Sequence, residues 1–248
     1  CSDCHDVHSL KLKAEGNALC LQCHRADAYD TPEHHFHKKV YEGKPSDGAL
    51  CVKCHMVEQP FMVIDERADH SFRVPRPDLT LEIGVPNACS ASGCHGDKPV
   101  QWSAHAYTKW YGQARKPHYG TTLDAARRRE PAAREPLVAL AEDRLASTLV
   151  RATALSLLAA YPGEATTAVV RRALMDDDAL IRHTAVRSAN VADPAERAAL
   201  LAPLLFDPTR GVRLQAAASL AGTPSGELKP YQQQALEEGL ADYRQAMD

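Results

Sequence analysis

Cysteine and histidine recur together at the start of this chain. Cys1, Cys4 and His5, then Cys20, Cys23 and His24, then Cys51, Cys54 and His55 each read Cys-x-x-Cys-His. A fourth group, Cys89, Cys94 and His95, keeps the Cys-His ending but has four residues between its cysteines. This is the attachment pattern of c-type haem. Two thiols add to the two vinyl groups on one edge of a porphyrin, and the next imidazole binds the iron beneath the ring. The pattern predicts four covalent haem c groups. Cys1, Cys4, Cys20, Cys23, Cys51, Cys54, Cys89 and Cys94 are the expected thioethers, and His5, His24, His55 and His95 the proximal iron ligands.

Zinc is the main competitor, because Cys4 and Cys20 are separated by 15 residues, a zinc-ribbon spacing. Zinc gives no reason for His to follow the second cysteine in all four groups. Disulfides give none either. A thioredoxin-like redox pair would be single and set in a βαβ unit, a pattern absent from this sequence.

The second axial ligand decides what a haem does: His or Met closes the iron for electron transfer, while an open position admits substrate. Of the 12 histidines, eight are not proximal: His8, His34, His35, His37, His70, His105, His118 and His183. His8, His34, His37, His70 and His118 are the candidate distal ligands. His8 lies three residues after His5 and so is expected to serve a neighbouring haem. His34 and His37 are spaced alike and can serve two haems, with His35 facing away. Asp69 is placed to orient His70 through a carboxylate hydrogen bond. His118 can reach the fourth haem. His105, between Trp102 and Trp110, reads as packing, as do Met56 and Met62.

The elements around these residues fall into two halves. All eight cysteines lie by Cys94, and the rest of the 248 residues is rich in Ala, Leu and Arg. A tetrahaem cytochrome domain over 1–120 and a helical domain over 121–248 are expected, joined between Tyr119 and Pro136. Four haems on so little chain leave no room for a conventional core, so the haems themselves should form it, close enough to exchange electrons. Their propionates add about -8 of charge to a nearly neutral segment. The net charge of -3 offers no basic patch for nucleic acid, and no apolar run is long enough to span a membrane. No secretory leader is recognised, and a chain starting on a haem cysteine suggests a segment of a longer protein.

The second half repeats. Val150-Arg151-Ala152-Thr153-Ala154, Ile181-Arg182-His183-Thr184-Ala185 and Val212-Arg213-Leu214-Gln215-Ala216 place their arginines 31 residues apart. Asp176 and Asp207 keep the same interval. A period near 30 with small residues at helix contacts reads as a short HEAT-like α-helical solenoid. Each Arg is expected to pair with the preceding Asp. The fold class expected is thus mainly α: a haem-packed cytochrome domain with little regular structure, then the solenoid. No catalytic constellation marks the solenoid, and His183 reads as a surface or inter-helix residue.

Several strings resemble the large bacterial multihaem cytochromes of the cytochrome c-554 type, which combine haem regions, HEAT-like repeats and often tetratricopeptide repeats. They include Ala14-Glu15-Gly16-Asn17-Ala18-Leu19-Cys20, Cys51-Val52-Lys53-Cys54-His55-Met56, Asp69-His70-Ser71-Phe72-Arg73-Val74-Pro75-Arg76-Pro77, Trp110-Tyr111-Gly112 and His118-Tyr119-Gly120. The resemblance implies an exported electron-transfer protein. The longer spacing of Cys89 and Cys94 departs from the usual form, and no tetratricopeptide repeat follows. The expected location is periplasmic or extracellular, since thioether attachment accompanies export. The expected partners are other redox proteins or further copies of the chain, in an oligomer or filament. The competing function is a multihaem oxidoreductase with one open haem, acting on a small nitrogen or sulfur compound.

Overall fold

The computed structural model describes residues 1–91, 94–113 and 116–247. The chain is mainly helical and divides into two compact units, Cys1–Lys116 and Pro117–Asp248. The division precedes the boundary at 120 expected from composition, because the segment after Pro117 builds a helix that packs within the second unit.

The first unit is made of short pieces. Its helices are α1 (Ala26–Tyr29), α2 (Pro32–His35), α3 (Cys51–His55), α4 (Pro77–Ile83), α5 (Ala88–Ala91) and α6 (Val100–Tyr111). Proline opens α2 and α4 at their first turn, where its missing N–H costs nothing. Two antiparallel hairpins sit between them: β1 (Val40–Tyr41) with β2 (Lys44–Pro45), and β3 (Glu58–Phe61) with β4 (Asp65–Ala68). Val40 pairs with Pro45 and Tyr41 with Lys44 across a Glu42-Gly43 turn, whose positive φ at both residues suits a two-residue hairpin loop. Among the described residues, the buried hydrophobic side chains of this unit include only Ala49, Pro77, Leu79 and Ala88. Leu10, Ile64 and Phe72 are exposed instead. So little buried apolar surface cannot offset the entropy of ordering about a hundred residues. A large apolar body bound inside the unit would supply what the side chains lack.

The second unit has a conventional core. Its helices are α7 (Tyr119–Arg127), α8 (Arg134–Glu142), α9 (Thr148–Leu158), α10 (Glu164–Ala173), α11 (Ala179–Ser188), α12 (Pro194–Leu201), α13 (Arg210–Leu220) and α14 (Pro230–Met247). Helices α9, α11 and α13 pack side by side in succession, with α8 against α9 and α10 against α11. They start at 148, 179 and 210, so the 31-residue period of the sequence is also the period of the structure. Ala154, Ala185 and Ala216 are fully buried at matching positions, where only a methyl lets the backbones approach. Ser147, Asp178 and Asp193 cap α9, α11 and α12 through their side chains. The close approach of α14 to α13 requires Gly239, since a Cβ there would lie 2.8 Å from the Cβ of Ala217.

The arginine ladder runs in the opposite sense to the one expected. Arg151 pairs with Asp176 at 2.7 Å, and Arg182 with Asp207 at 2.6 Å. Each partner is the Asp that follows by 25 residues, not the one that precedes. The preceding Asp contributes its backbone: Arg182 Nη1 donates to the carbonyls of Asp176 and Asp177, and Arg213 Nη1 to those of Asp207 and Pro208. In Arg182 the guanidinium therefore ties one inter-helix turn to the next.

Candidate haem sites

Each Cys-His group forms one tight turn. The amide of His5 donates to the carbonyl of Cys1 at 2.8 Å, and that of His24 to Cys20 at 3.0 Å. The third group is the single-turn helix α3. In the fourth, the amide of His95 donates to the carbonyl of Cys89 at 3.0 Å, so the longer spacing still closes histidine onto the first cysteine. Ser92 and Gly93, inside that spacing, lie outside the described residues.

The imidazoles assemble in pairs, each joining a motif histidine to a distant one. Ring centroids are 6.3 Å apart for His5 and His70, 6.2 Å for His34 and His55, and 6.3 Å for His37 and His95. A transition-metal ion lies about 2 Å from an imidazole nitrogen, and the ring centre about 1 Å farther, so two rings on opposite faces of one ion have centroids about 6 Å apart. The interplanar angles are 32°, 14° and 34°. No group of three or more His, Cys, Asp or Glu side chains placed to hold a metal ion occurs among the described residues. Zinc would need such a cluster; a haem iron, with four porphyrin nitrogens, needs only two.

Backbone carbonyls set the orientation of these rings. His5 Nδ1 donates to Leu10 O at 2.8 Å, His55 Nδ1 to Arg73 O at 2.9 Å, and His70 Nδ1 to Ala68 O at 2.8 Å. His37 Nδ1 donates likewise to His35 O. A carbonyl can only accept, so Nδ1 is the donor in each case and Nε2 is the nitrogen left to face a metal. Asp69 does not orient His70, contrary to expectation. Its carboxylate accepts from the amide and hydroxyl of Ser71 instead.

His34 and His37 would share a face on a continuous helix. They reach different partners because Phe36 closes α2 in the left-handed region, at φ 56°. The strain of that conformation, about 1–2 kcal/mol, is offset by stacking of Phe36 on Trp110 with centroids 4.9 Å apart. The hydroxyl of Tyr111 also donates to the carbonyl of His34.

Two of the pairs line one cleft. It encloses about 980 Å³ of empty space, mouth included, between His34, His37, His55 and His95, with Cys54, Cys89 and Cys94 in the wall and Trp102 and Trp110 closing it. Burial pushes the Cys54 thiol up to about 11, with Cys89 and Cys94 adding to the effect, and burial raises Cys89 as well. Burial, then proximity to His55, lowers the pKa of His34, which keeps it in the neutral form that binds metal.

His35 lines the same cleft rather than facing away. Its Nδ1 accepts from the amide of His37 at 3.1 Å, which places the ring proton on Nε2. That Nε2 is buried without a partner, an orphaned donor in an apolar cleft. A cofactor with carboxylate edges fits these surroundings, and so do the thiol pairs and the ring spacing.

The remaining motif histidine, His24, meets Tyr29 edge-on with centroids 5.5 Å apart. Neither His8 nor His105, both exposed, belongs to the three imidazole pairs among the described residues. His118 lies in the second unit, where its Nδ1 caps α7 by accepting from the amide of Gly120 at 3.0 Å. His183 lies on α11 of the same unit.

Sequence reasoning did not single out Gly48. A Cβ there would lie 2.3 Å from His37 Cδ2, so only glycine lets the ring approach. Gly48→Ala should displace His37 and cost one low-spin haem signal at unchanged thioether content, as read by electron paramagnetic resonance. An unchanged spectrum would show that His37 does not need this position.

A family model of the doubled CXXCH motif matches residues 1–29. No curated protein and no solved structure matches the chain. The matched motif marks covalent haem c binding, and electron transfer is the general chemistry that it carries.

Proposed function

We propose that this chain moves electrons through four covalently bound c-type haems, three of them held between His5 and His70, His55 and His34, and His95 and His37. The observation that carries the proposal is the common centroid spacing of 6.2–6.3 Å in three pairs, each with one member from a Cys-His motif. Bound haem supplies a one-electron iron couple. The chain would hold each ring by two thioethers, and backbone carbonyls orient the imidazoles of His5, His70, His55 and His37. Two imidazoles per iron leave no position for substrate, which favours electron carriage. For the iron on His24 the candidate second ligand within the same unit is His8, and His8→Ala tests it by the loss of one low-spin signal.

The second unit is proposed as a HEAT-like solenoid, supported by the 31-residue period of helices α9, α11 and α13. It would serve as a scaffold on which a redox partner, or another copy of the chain in an oligomer or filament, docks. The resemblance to cytochrome c-554-type proteins supports export, to the periplasm or the cell exterior.

One observation favours a second reading, an oxidoreductase with an open iron acting on a small nitrogen or sulfur compound. His24 faces Tyr29 rather than an imidazole. A high-spin signal that shifts on adding nitrite or cyanide would establish that reading.

A pyridine haemochrome assay with intact mass tests the cofactor proposal. It should give four haems per chain that resist extraction into acidified organic solvent. Extractable haem, or bound zinc in its place, would end the proposal.

A further inference from the structure

We infer that Tyr29 is a positioning residue shared by two haem sites, holding the imidazole of His24 on one side and that of His34 on the other. The inference rests on the haem reading above. Tyr29 ends α1, where its amide donates to the carbonyl of Arg25 at 3.0 Å. Its ring meets His24 with centroids 5.5 Å apart and planes at 79°, and His34 at 5.3 Å and 84°. The two imidazoles belong to different sites, for His24 follows Cys20 and Cys23, while His34 faces His55. Edge-to-face contacts restrict ring rotation. The orientation of an axial imidazole plane tunes both the magnetic signature and the potential of its iron.

A second set of contacts joins the same two sites. The Cys20 and Cys51 side chains are neighbours. Asn17, in the turn before Cys20, accepts from the amide of Cys51 at 2.9 Å and donates to the carbonyl of Ala49 at 2.8 Å. It also donates to the carboxylate of Asp30, the residue after Tyr29, at 2.9 Å. Asn17 thus pins the end of α1 and the start of α3 to one turn. The second and third haem sites are one construction, with Tyr29 as the wall between their axial ligands.

The test is a redox titration of the holoprotein followed by electron paramagnetic resonance, in wild type, Tyr29→Leu and Tyr29→Phe. Tyr29 is 46% exposed, so leucine there leaves the fold's buried contacts in place. Tyr29→Leu should shift the signals and midpoints of two haems and leave the other two unchanged. Tyr29→Phe, which keeps the ring, should match wild type. A shift in one haem or none, with four haems retained, would overturn the inference, and so would failure of phenylalanine to restore the wild-type spectrum. If the leucine variant matures with fewer than four haems, ring-¹³C tyrosine in the wild-type protein decides. The Tyr29 resonance should move at two separate potentials, and movement at one or none would overturn the inference. Failure of the underlying haem reading would look different, as wild-type protein without four covalent haems.

Discussion

Replacing His34 by Ala should convert one haem from low to high spin while its two thioethers keep it attached. His37→Ala does the same to a second haem, and His70→Ala to a third. The three residues face His55, His95 and His5 across the spacing of a shared iron. Removing one imidazole leaves the motif histidine as sole axial ligand, and five-coordinate iron is high-spin. Each variant should lose the low-spin intensity of one haem, about one quarter to one third of the total, since one of three or four closed irons is affected. The double variant His34→Ala, His37→Ala should lose twice as much, because separate sites add. His183→Ala is the control and should change no haem signal, as it lies on α11 of the other unit. An unaltered spectrum for His34→Ala would break the pairing with His55.

Replacing Arg182 by Ala should destabilise the second unit by about 3–5 kcal/mol, since it leaves a buried carboxylate unpaired. Arg182 makes two hydrogen bonds to Asp207, at 2.6 and 2.9 Å, and Asp207 is buried. Urea unfolding of the holoprotein, followed in the far ultraviolet, measures the loss. The double change Arg182→Met, Asp207→Leu should cost much less, because it removes both charges. Equal losses in the two variants would mean that the guanidinium acts by packing alone. The same pair sets a pH dependence. The Arg182 guanidinium holds the Asp207 carboxyl below the usual range, with the amide of Thr209 assisting against burial. A folded value below the unfolded one, about 3.9, means that the stabilisation is complete above that pH and lost as pH falls through the folded value. Arg182→Ala should therefore flatten the acid limb of the stability curve.

The doubled Cys-x-x-Cys-His motif of residues 1–29 was legible because its chemistry is local: two thiols and an imidazole must meet one porphyrin edge within a single turn. The 31-residue period was legible for a related reason, since each helix of a repeat packs on its neighbour at the same residue positions, such as Ala154, Ala185 and Ala216. The pairing of imidazoles was not legible. His5 meets His70 and His55 meets His34 through folding of the intervening chain, and no spacing rule fixes that. The groups that orient these rings are backbone carbonyls of Leu10, Ala68 and Arg73, which carry no side-chain signature. Phe36 gave no sign that it would adopt a left-handed conformation and send His34 and His37 to separate sites. The arginine ladder misled in direction because Asp176 stands both 6 residues before Arg182 and 25 after Arg151. Only packing decides which arginine receives its carboxylate.

An electron paramagnetic resonance spectrum of the oxidised wild-type protein, integrated against its haem content, tests the central claim most directly. Closed irons between imidazole pairs predict low-spin signals accounting for at least three of the four haems, unmoved by nitrite or cyanide. High-spin iron at the sites of His5, His55 or His95 would contradict the account.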